Sequence, residues 1–134
     1  MDTMAMMKGM SKAEMPMDMN LMQDCMMAMN ACSMAATMCA GQDIAMEGMG
    51  RCAGMCMNMA DMADTCMRMM MRPAGFDMNG MMAMMQACMA MGAACKAECE
   101  MHAEMAECCR YCAMACDDMM SKCEALLATM VPAD

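Results

Sequence analysis

The chain has almost no aromatic residues, with one Phe, one Tyr and no Trp among 134 residues. Only three prolines are present, and Leu, Ile and Val are scarce as well. Because β-sandwiches and β-barrels need aromatic and β-branched residues with frequent turns, the composition excludes them. A shortage of large aliphatics usually indicates disorder, but Met, a good helix former, takes their place here. The composition therefore predicts an all-α chain, and the length predicts one domain.

Basic residues are also few, since 8 Lys and Arg stand against 17 Asp and Glu and give a net charge of −9. A nucleic-acid-binding protein needs a basic stripe, so we expect no nucleic-acid partner. The chain has no uncharged run of 18 apolar residues, and we expect no membrane-spanning helix. The start, MDTMAMMKGM, lacks a basic segment followed by a long apolar core. These features favour a cytoplasmic protein, although a mature exported chain would begin in the same way.

Sulfur-containing residues dominate the chain, which has 37 Met and 14 Cys. So many cysteines in a short secreted protein would suggest a disulfide scaffold. Cys25, Cys32 and Cys39, however, are seven residues apart in a helix-favouring stretch. Seven helical residues span about 10.5 Å, whereas a disulfide requires Cα atoms about 4.4–6.8 Å apart. These cysteines cannot pair within their helix, and the pattern favours reduced thiols in a reducing compartment or protected by metal.

Gly and Pro divide the chain into a Met-rich N-terminal arm, residues 1–17, and four helical runs. Ser11 and Glu14 in the arm have the spacing of a capping box. The runs are predicted at about 18–40, 44–72, 78–102 and 107–131. Asp43 and Asp77 are the predicted N-caps of the second and third runs. Four long runs with short links predict an up-down-up-down antiparallel four-helix bundle over residues 18–134.

The cysteines recur at spacings of three and four residues along one face of each predicted helix. This is the a/d pattern of positions that face a bundle axis. Thirteen of the 14 fit it, and Cys108 alone does not. The thirteen are Cys25, Cys32, Cys39, Cys52, Cys56, Cys66, Cys88, Cys95, Cys99, Cys109, Cys112, Cys116 and Cys123. Charged residues lie between these positions, so the bundle should have a core of thiols, thioethers and Ala inside an acidic exterior.

Such an array of thiols favours metal binding over simple packing. Cys buries less apolar area than Leu, so a Cys-lined core should be weak without another source of stability. The CxxxC pairs Cys52/Cys56 and Cys95/Cys99 place two sulfurs on one helix face, and soft thiolates select Cu(I). One Cu(I) per thiolate would be neutral, which predicts about 14 ions. Zinc sites usually use CxxC knuckles, and only Cys109/Cys112 has that spacing.

Three other interpretations stay open at this point. One is a zinc or cadmium thiolate buffer, another is an engineered Met/Cys-core bundle made to test packing, and the third is a thiol redox buffer. We do not expect an enzyme, because His102 is the only histidine that could serve a nucleophilic Cys as a base.

The region from Cys95 to Cys116, CKAECEMHAEMAECCRYCAMAC, resembles the copper storage proteins, which are Cys-rich four-helix bundles. The segments RCAGMC from Arg51 and RPAGFD from Arg72 fit the same family, and the likeness extends over about residues 18–131. It implies a tube filled with Cu(I), with all 14 cysteines as ligands, and commonly a tetramer. It also places His102 near the mouth of the tube. Because the first and third links of an up-down-up-down bundle share one end, we expect Met105 beside it as a second ligand there. The Met content departs from the family, so the chain is either a Met-rich member or a Met-substituted redesign.

Methionine is also predicted at outward positions such as Met57 and Met67. An apolar surface of that kind is rarely tolerated by a monomer, so we expect a homodimer or homotetramer with closed symmetry. Phe76, in the link between the second and third helices, should act as an apolar plug, and Gly92 should allow close helix packing.

Overall fold

The computed structural model describes residues 2, 5, 6 and 17–133, and its fold is a four-helix bundle. The helices are α1 (Met19–Asp43), α2 (Gly50–Met70), α3 (Met78–Glu100) and α4 (Glu107–Leu127), with a 3₁₀ turn at Pro73–Gly75. Consecutive helices pack against each other, and α4 closes the ring by packing on α1. The described residues contain no strand. The predicted all-α, up-down-up-down bundle is confirmed.

Most of the predicted Met-rich arm, including the capping box at Ser11 and Glu14, lies outside the described residues. Of its methionines that the structure describes, Met6 is exposed and Met17 is buried.

Two aspartates cap the helices that begin at the end of the bundle nearest Phe76, which we call the Phe76 end. Asp18 Oδ1 accepts hydrogen bonds from the backbone N–H groups of Asn20 and Leu21, at 2.9 and 3.0 Å. Asp77 Oδ2 accepts one from the N–H of Gly80 at 2.7 Å. Each cap satisfies N–H groups that have no partner within the helix and contributes about 1 kcal/mol. The predicted N-cap at Asp77 is therefore confirmed.

The prediction that Asp43 caps the second helix is wrong. Asp43 is the last residue of α1, its side chain is fully buried, and α2 begins only at Gly50. The chain reverses later, at Gly48, whose φ of +80° is the left-handed conformation that glycine adopts without strain. Because the turn follows Asp43 by several residues, the carboxylate stays on the inner face of α1. We call this end of the bundle, where α1 and α3 finish, the Asp43 end.

The other predicted helix ends differ from the structure by a few residues. The second, third and fourth runs were predicted to end near 72, 102 and 131, whereas α2, α3 and α4 end at Met70, Glu100 and Leu127. Backbone turns continue beyond each helix, for example from Thr129 N–H to Leu126 O at 3.0 Å. Sequence patterns cannot distinguish such turns from a last helical turn.

The core is built as the cysteine spacing predicts. The thirteen cysteines that fit the a/d pattern, which we call the seam cysteines, are all fully buried, and Cys108 is partly exposed. At the Phe76 end Met22, Met70 and Leu126 are also fully buried, and Phe76 packs against the core there. Gly92 faces Met119 so closely that a Cβ at this position would lie 2.8 Å from the Met119 Cε atom. The close-packing role predicted for Gly92 is thus confirmed.

The surface combines acidic residues with exposed methionines. Met57 is exposed as predicted, but the same prediction for Met67 is wrong, because Met67 is partly buried and packs against the core. Along α1, Met27, Met34 and Met38 are 63%, 56% and 60% exposed. Within the described part of the chain, no helix is both long and apolar enough to span a membrane.

Candidate metal centre

The thiols form a continuous column along the bundle axis, joined across neighbouring helices. Cys32 and Cys116 connect α1 and α4 with their Sγ atoms 3.8 Å apart. The Cys56 Sγ atom lies 4.0 Å from that of Cys95 and 3.9 Å from that of Cys112, and so connects α2 to α3 and α4. The inward a/d spacing alone places these sulfurs opposite one another, because residues three and four apart share a helix face. These thiols of different helices therefore lie close enough to share a metal ion.

The Asp43 end holds the densest cluster of possible ligands. Cys39 Sγ lies 3.4 Å from Cys108 Sγ and 3.7 Å from Cys109 Sγ. Cys52 Sγ is 3.7 Å from that of Cys109 and 3.9 Å from that of Cys99. Several sets of four ligand atoms here lie within 4.8 Å of one another. The sets are Cys39/Cys56/Cys99/Cys112, Cys39/Cys52/Cys99/Cys109, Cys39/Asp43/Cys52/Cys56 and Cys39/Asp43/Cys108/Cys109.

Towards the Phe76 end the column contains fewer thiols and includes a thioether. Cys25 and Cys123 approach to 3.2 Å between their Sγ atoms. The Met119 Sδ atom lies 3.7 Å from Cys123 Sγ and 3.9 Å from Cys88 Sγ, and Met119 is fully buried. Among the many buried methionines, Met119 thus brings a thioether sulfur within ligand distance of two thiols.

Burial favours the protonated form of three thiols at the Asp43 end. Removal from water raises the pKa of Cys39 and Cys52 far above the usual range for a thiol, and it raises the pKa of Cys109 to about 12. A thiolate is disfavoured in a low-dielectric site unless a cation compensates it. Deeper in the column, hydrogen bonds from Cys112 and then Cys116 lower the pKa of Cys95. Cations that enter the column must therefore displace protons from it.

The two predicted ligands other than cysteine lie at the Asp43 end but outside these sets. His102 Nε2 is 2.8 Å from Glu98 Oε2, and its side chain is 17% exposed. Met105, in the link between α3 and α4, is 75% exposed. Neither residue belongs to the ligand sets formed by the described residues. The column is thus assembled from cysteines, with the histidine and the methionine at its rim.

Sequence reasoning missed two buried acidic side chains. Asp43 accepts hydrogen bonds from Cys39, Cys108 and Cys109. Glu98 is buried beside the column, where it accepts hydrogen bonds from Arg51 Nε at 2.8 Å and contacts His102. Asp43 could have been found from its spacing, since it follows Cys39 by four residues and shares its helix face. Glu98 likewise follows Cys95 by three residues and precedes His102 by four, so the same rule could have placed it beside the column.

The fold and this site define a class of protein, a four-helix bundle whose axis is lined by free thiols. The model of the copper storage protein family matches residues 15–128. The chain belongs to the copper storage protein family. No curated protein sequence matches it.

Solved structures of the copper storage protein Ccsp from Streptomyces lividans share the fold. The form loaded with 10 copper equivalents is 30% identical, with a TM-score of 0.89 over 95% of this chain and 99% of that one. A structure of copper loading to a cytosolic copper storage protein of the same organism, with five coppers, is 34% identical, with a TM-score of 0.79 over 81% of this chain and 93% of that one. A Ccsp variant with one histidine replaced by alanine is also 34% identical, with a TM-score of 0.81 over 85% and 98% of the two chains.

Proposed function

We propose that this protein stores Cu(I) in the thiol column of its bundle. The observation that carries the proposal is the series of buried Sγ atoms along the bundle axis, many of them 3.2–4.0 Å from a thiol of a neighbouring helix. Membership of the copper storage family and the copper-loaded Ccsp structures support it. Because the S. lividans relative is described as cytosolic, we place this storage in the cytoplasm.

The proposed ligands are all 14 cysteines, with His102 and Met105 at the Asp43 end. Soft thiolates select Cu(I), and one Cu(I) per thiolate leaves no net charge in a core that cannot solvate ions. The Glu98–His102 contact supports a role for His102, since a metal-binding histidine usually donates its other ring N–H to a carboxylate. The exposed thioether of Met105 is accessible to copper arriving from solvent.

Storage is favoured over catalysis by the position of the only histidine. A nucleophilic cysteine needs a base within hydrogen-bonding distance, and among the side-chain hydrogen bonds of the described residues His102 pairs with Glu98 and with no cysteine. We therefore propose that the protein is not an enzyme and that the thiols hold copper rather than react with a substrate.

Anaerobic titration of the reduced protein with Cu(I) against a chromogenic chelator should saturate near one ion per cysteine, about 14 for the 14 cysteines. Proton release should accompany binding, because the buried thiols start protonated. Saturation near one ion per four cysteines would favour a zinc or cadmium buffer, and absence of binding would leave a bundle made for packing. Formation of disulfides without metal uptake would favour a redox buffer.

Replacing His102 by Ala and Met105 by Leu should slow copper loading and removal and leave the final capacity nearly unchanged. Both residues lie at the rim of the column, whereas the capacity resides in the buried thiols. Stopped-flow transfer of Cu(I) from and to a chelator measures both rates. Met57→Leu, which removes an exposed thioether on the outer face of α2, is the matched control and should load normally. Unchanged rates in the double variant would assign entry to another part of the bundle.

We also propose that the chain forms a homodimer or homotetramer through the outer face of α1. Met27, Met34 and Met38 lie exposed on this face, and α1 has no charged residue between Asp24 and Asp43. Exposed apolar surface of this extent is typical of an interface, and a closed symmetric assembly would cover it.

Met34→Lys, in the middle of that face, should shift the assembly to the monomer, because it would place a charge in a desolvated contact. Sedimentation or light scattering at micromolar concentration measures the change. Ala87→Lys adds the same charge at an exposed position of α3 and should leave the assembly intact. A wild-type protein that is monomeric under these conditions would refute the proposed interface.

A further inference from the structure

Asp43 is a buried carboxylate surrounded by thiols. Its side chain is fully buried, and the thiols of Cys39, Cys108 and Cys109 donate hydrogen bonds to it. None of the ion pairs within the described residues includes it. A thiol is a weak hydrogen-bond donor, and a buried carboxylate is costly unless a cation or strong donors compensate it. The copper column explains the thiols, but it does not explain the carboxylate among them.

The spacing of these four groups matches a tetrahedral metal site. A tetrahedral ion with bonds of about 2.3 Å to sulfur and about 2.0 Å to oxygen separates two sulfurs by roughly 3.8 Å and sulfur from oxygen by roughly 3.5 Å. The two sulfur–sulfur distances from Cys39, to Cys108 and Cys109, are 3.4 and 3.7 Å. The distances from Asp43 oxygens to the sulfurs of Cys39, Cys108 and Cys109 are 3.6, 3.7 and 3.7 Å. The Cys39 distance is to Asp43 Oδ2 and the other two are to Oδ1, and the donor atoms of the four residues all lie within 4.8 Å of one another before any metal binds.

Cys108 distinguishes this set from the rest of the column. It is the one cysteine off the inward seam and the one that is partly exposed. It occurs only in the set with Cys39, Asp43 and Cys109, whereas Cys39 and Cys109 also belong to all-thiol sets. The set thus has a donor of its own that faces solvent, which gives an ion a way in.

The mixed donors indicate the class of metal. Carboxylate oxygen is a harder ligand than thiolate and adds little for Cu(I), which prefers sulfur. Zn(II) accepts Cys and Asp ligands together and is four-coordinate and tetrahedral in closed sites. Three thiolates and one carboxylate around a divalent ion leave a net charge of −2, the same as in a site of four thiolates.

We propose that Cys39, Asp43, Cys108 and Cys109 form a site at the Asp43 end for one divalent, tetrahedral metal ion of the zinc type. Binding breaks three S–H bonds, forms three metal–sulfur bonds and one metal–oxygen bond, and releases three protons to solvent. No electron is transferred. The site shares Cys39 and Cys109 with the copper column, so an ion bound there closes this end of the column until Cu(I) displaces it.

Co(II) titration of the reduced apoprotein, without oxygen and without copper, tests this site. We expect one equivalent to bind with the intense visible bands of a tetrahedral Co(II) thiolate centre, and one equivalent of Zn(II) to remove them. Cys108→Ser and Asp43→Asn should each weaken the binding at least about 100-fold, since loss of even an outer-shell partner costs about 10–100-fold. Cys108 is partly exposed, so its replacement should not disturb folding, which far-UV circular dichroism checks.

Cys99→Ser is the matched control, because it removes another thiol at the same end and leaves the proposed donors intact. Asp61→Asn controls for loss of an exposed negative charge. Both should bind Co(II) as the wild type does. Loss of the bands in Cys99→Ser with retention in Cys108→Ser would assign the ion to the all-thiol set and overturn the proposal. Absence of a tetrahedral spectrum, or uptake of several equivalents with equal affinity, would overturn it as well.

The Co(II) experiment does not depend on copper storage. The Cu(I) titration of wild type and Cys108→Ser, done separately, should differ by at most about one ion of the 14 expected from the cysteine count. A protein that stores Cu(I) and gives no 1:1 Co(II) centre would refute only the mixed-donor site. One that gives the Co(II) centre and holds no Cu(I) would refute only the storage function.

Discussion

A variant with all 14 cysteines replaced by Ala or Ser should bind no Cu(I) tightly, although all 37 methionines remain. The reason is charge. A thiolate is anionic and neutralises Cu(I), whereas a neutral thioether leaves a buried cation uncompensated. Fully buried methionines such as Met29, Met59 and Met119 would still surround the axis, but each alone would hold copper weakly. The expected change in capacity is from about 14 ions to none, measured by competition with a Cu(I) chelator.

The matched control for the Cys-free protein alters thioethers instead of thiols. Replacing the exposed Met27, Met34 and Met57 by Leu removes sulfur from the surface and leaves the column complete. This variant should keep the full capacity, and circular dichroism should show both proteins helical. Tight binding of many ions by the Cys-free variant would mean that the methionines are the store and that our ligand assignment is wrong.

The apoprotein should lose stability steeply in alkaline solution, and copper should abolish this loss. Burial raises the pKa of Cys39 and Cys52 well above the usual value and that of Cys109 to about 12. Below the ordinary thiol pKa of about 8.5, these three groups are protonated in both states, and their contribution to stability is independent of pH. Above it the unfolded chain releases protons that the folded protein retains, so folding becomes less favourable as pH rises towards the raised pKa values.

The expected size of this effect follows from proton linkage. Each such thiol removes about 1.4 kcal/mol of unfolding free energy per pH unit above its unfolded pKa. Three thiols therefore lower it by roughly 4 kcal/mol between pH 9 and pH 10, on the order of 10 °C in Tm for a domain of this size. Thermal melts at pH 7, 9 and 10, with a reductant present, would measure it.

Loaded with Cu(I), the protein should melt at a higher temperature and show little change over the same pH range. The thiols are then already deprotonated, and a ligand present at 1,000 times its Kd stabilises the folded state by about 4 kcal/mol per site. The apo and loaded melts thus control for each other. If the Tm of the apoprotein does not fall as pH rises, or if copper loading leaves the Tm unchanged, the state of the thiols does not affect the stability of the fold.

The number of helices and their inward faces could be predicted from the sequence. Side chains spaced alternately three and four residues apart lie on one face only when the segment is helical. The spacing of the seam cysteines therefore predicted both the helices and the residues that form the core. The start of α3 after Asp77 could be predicted equally well, because an aspartate ahead of an apolar run caps a helix by purely local hydrogen bonds. The division into an arm and a bundle stays a prediction, since most of residues 1–17 lies outside the described part of the chain.

The link between α1 and α2 was predicted less well, because the residue at which α1 ends depends on contacts with other helices as well as on the local sequence. Gly41 and Asp43 look like a helix break followed by a cap, but α1 continues through Gly41 to Asp43. The thiols of Cys39 and, across the bundle, Cys108 and Cys109 donate to the Asp43 carboxylate. The contacts with Cys108 and Cys109 of α4 favour an Asp43 side chain that faces the bundle axis, and the sequence of α1 alone cannot predict them.

The sequence by itself determined a thiol-lined four-helix bundle, because helix periodicity acts within each segment and needs no partner. The tertiary structure alone decided what lies at the Asp43 end. Cys108 is off the seam by its spacing, yet its Sγ lies 3.4 Å from Cys39 Sγ. Glu98 pairs with Arg51 of α2 as well as with His102 beyond α3, and the sequence of α3 does not identify Arg51 as a partner. These contacts join residues 47 to 69 positions apart, or depend on the turn after α3, and so arise only when the packed helices bring separate segments together.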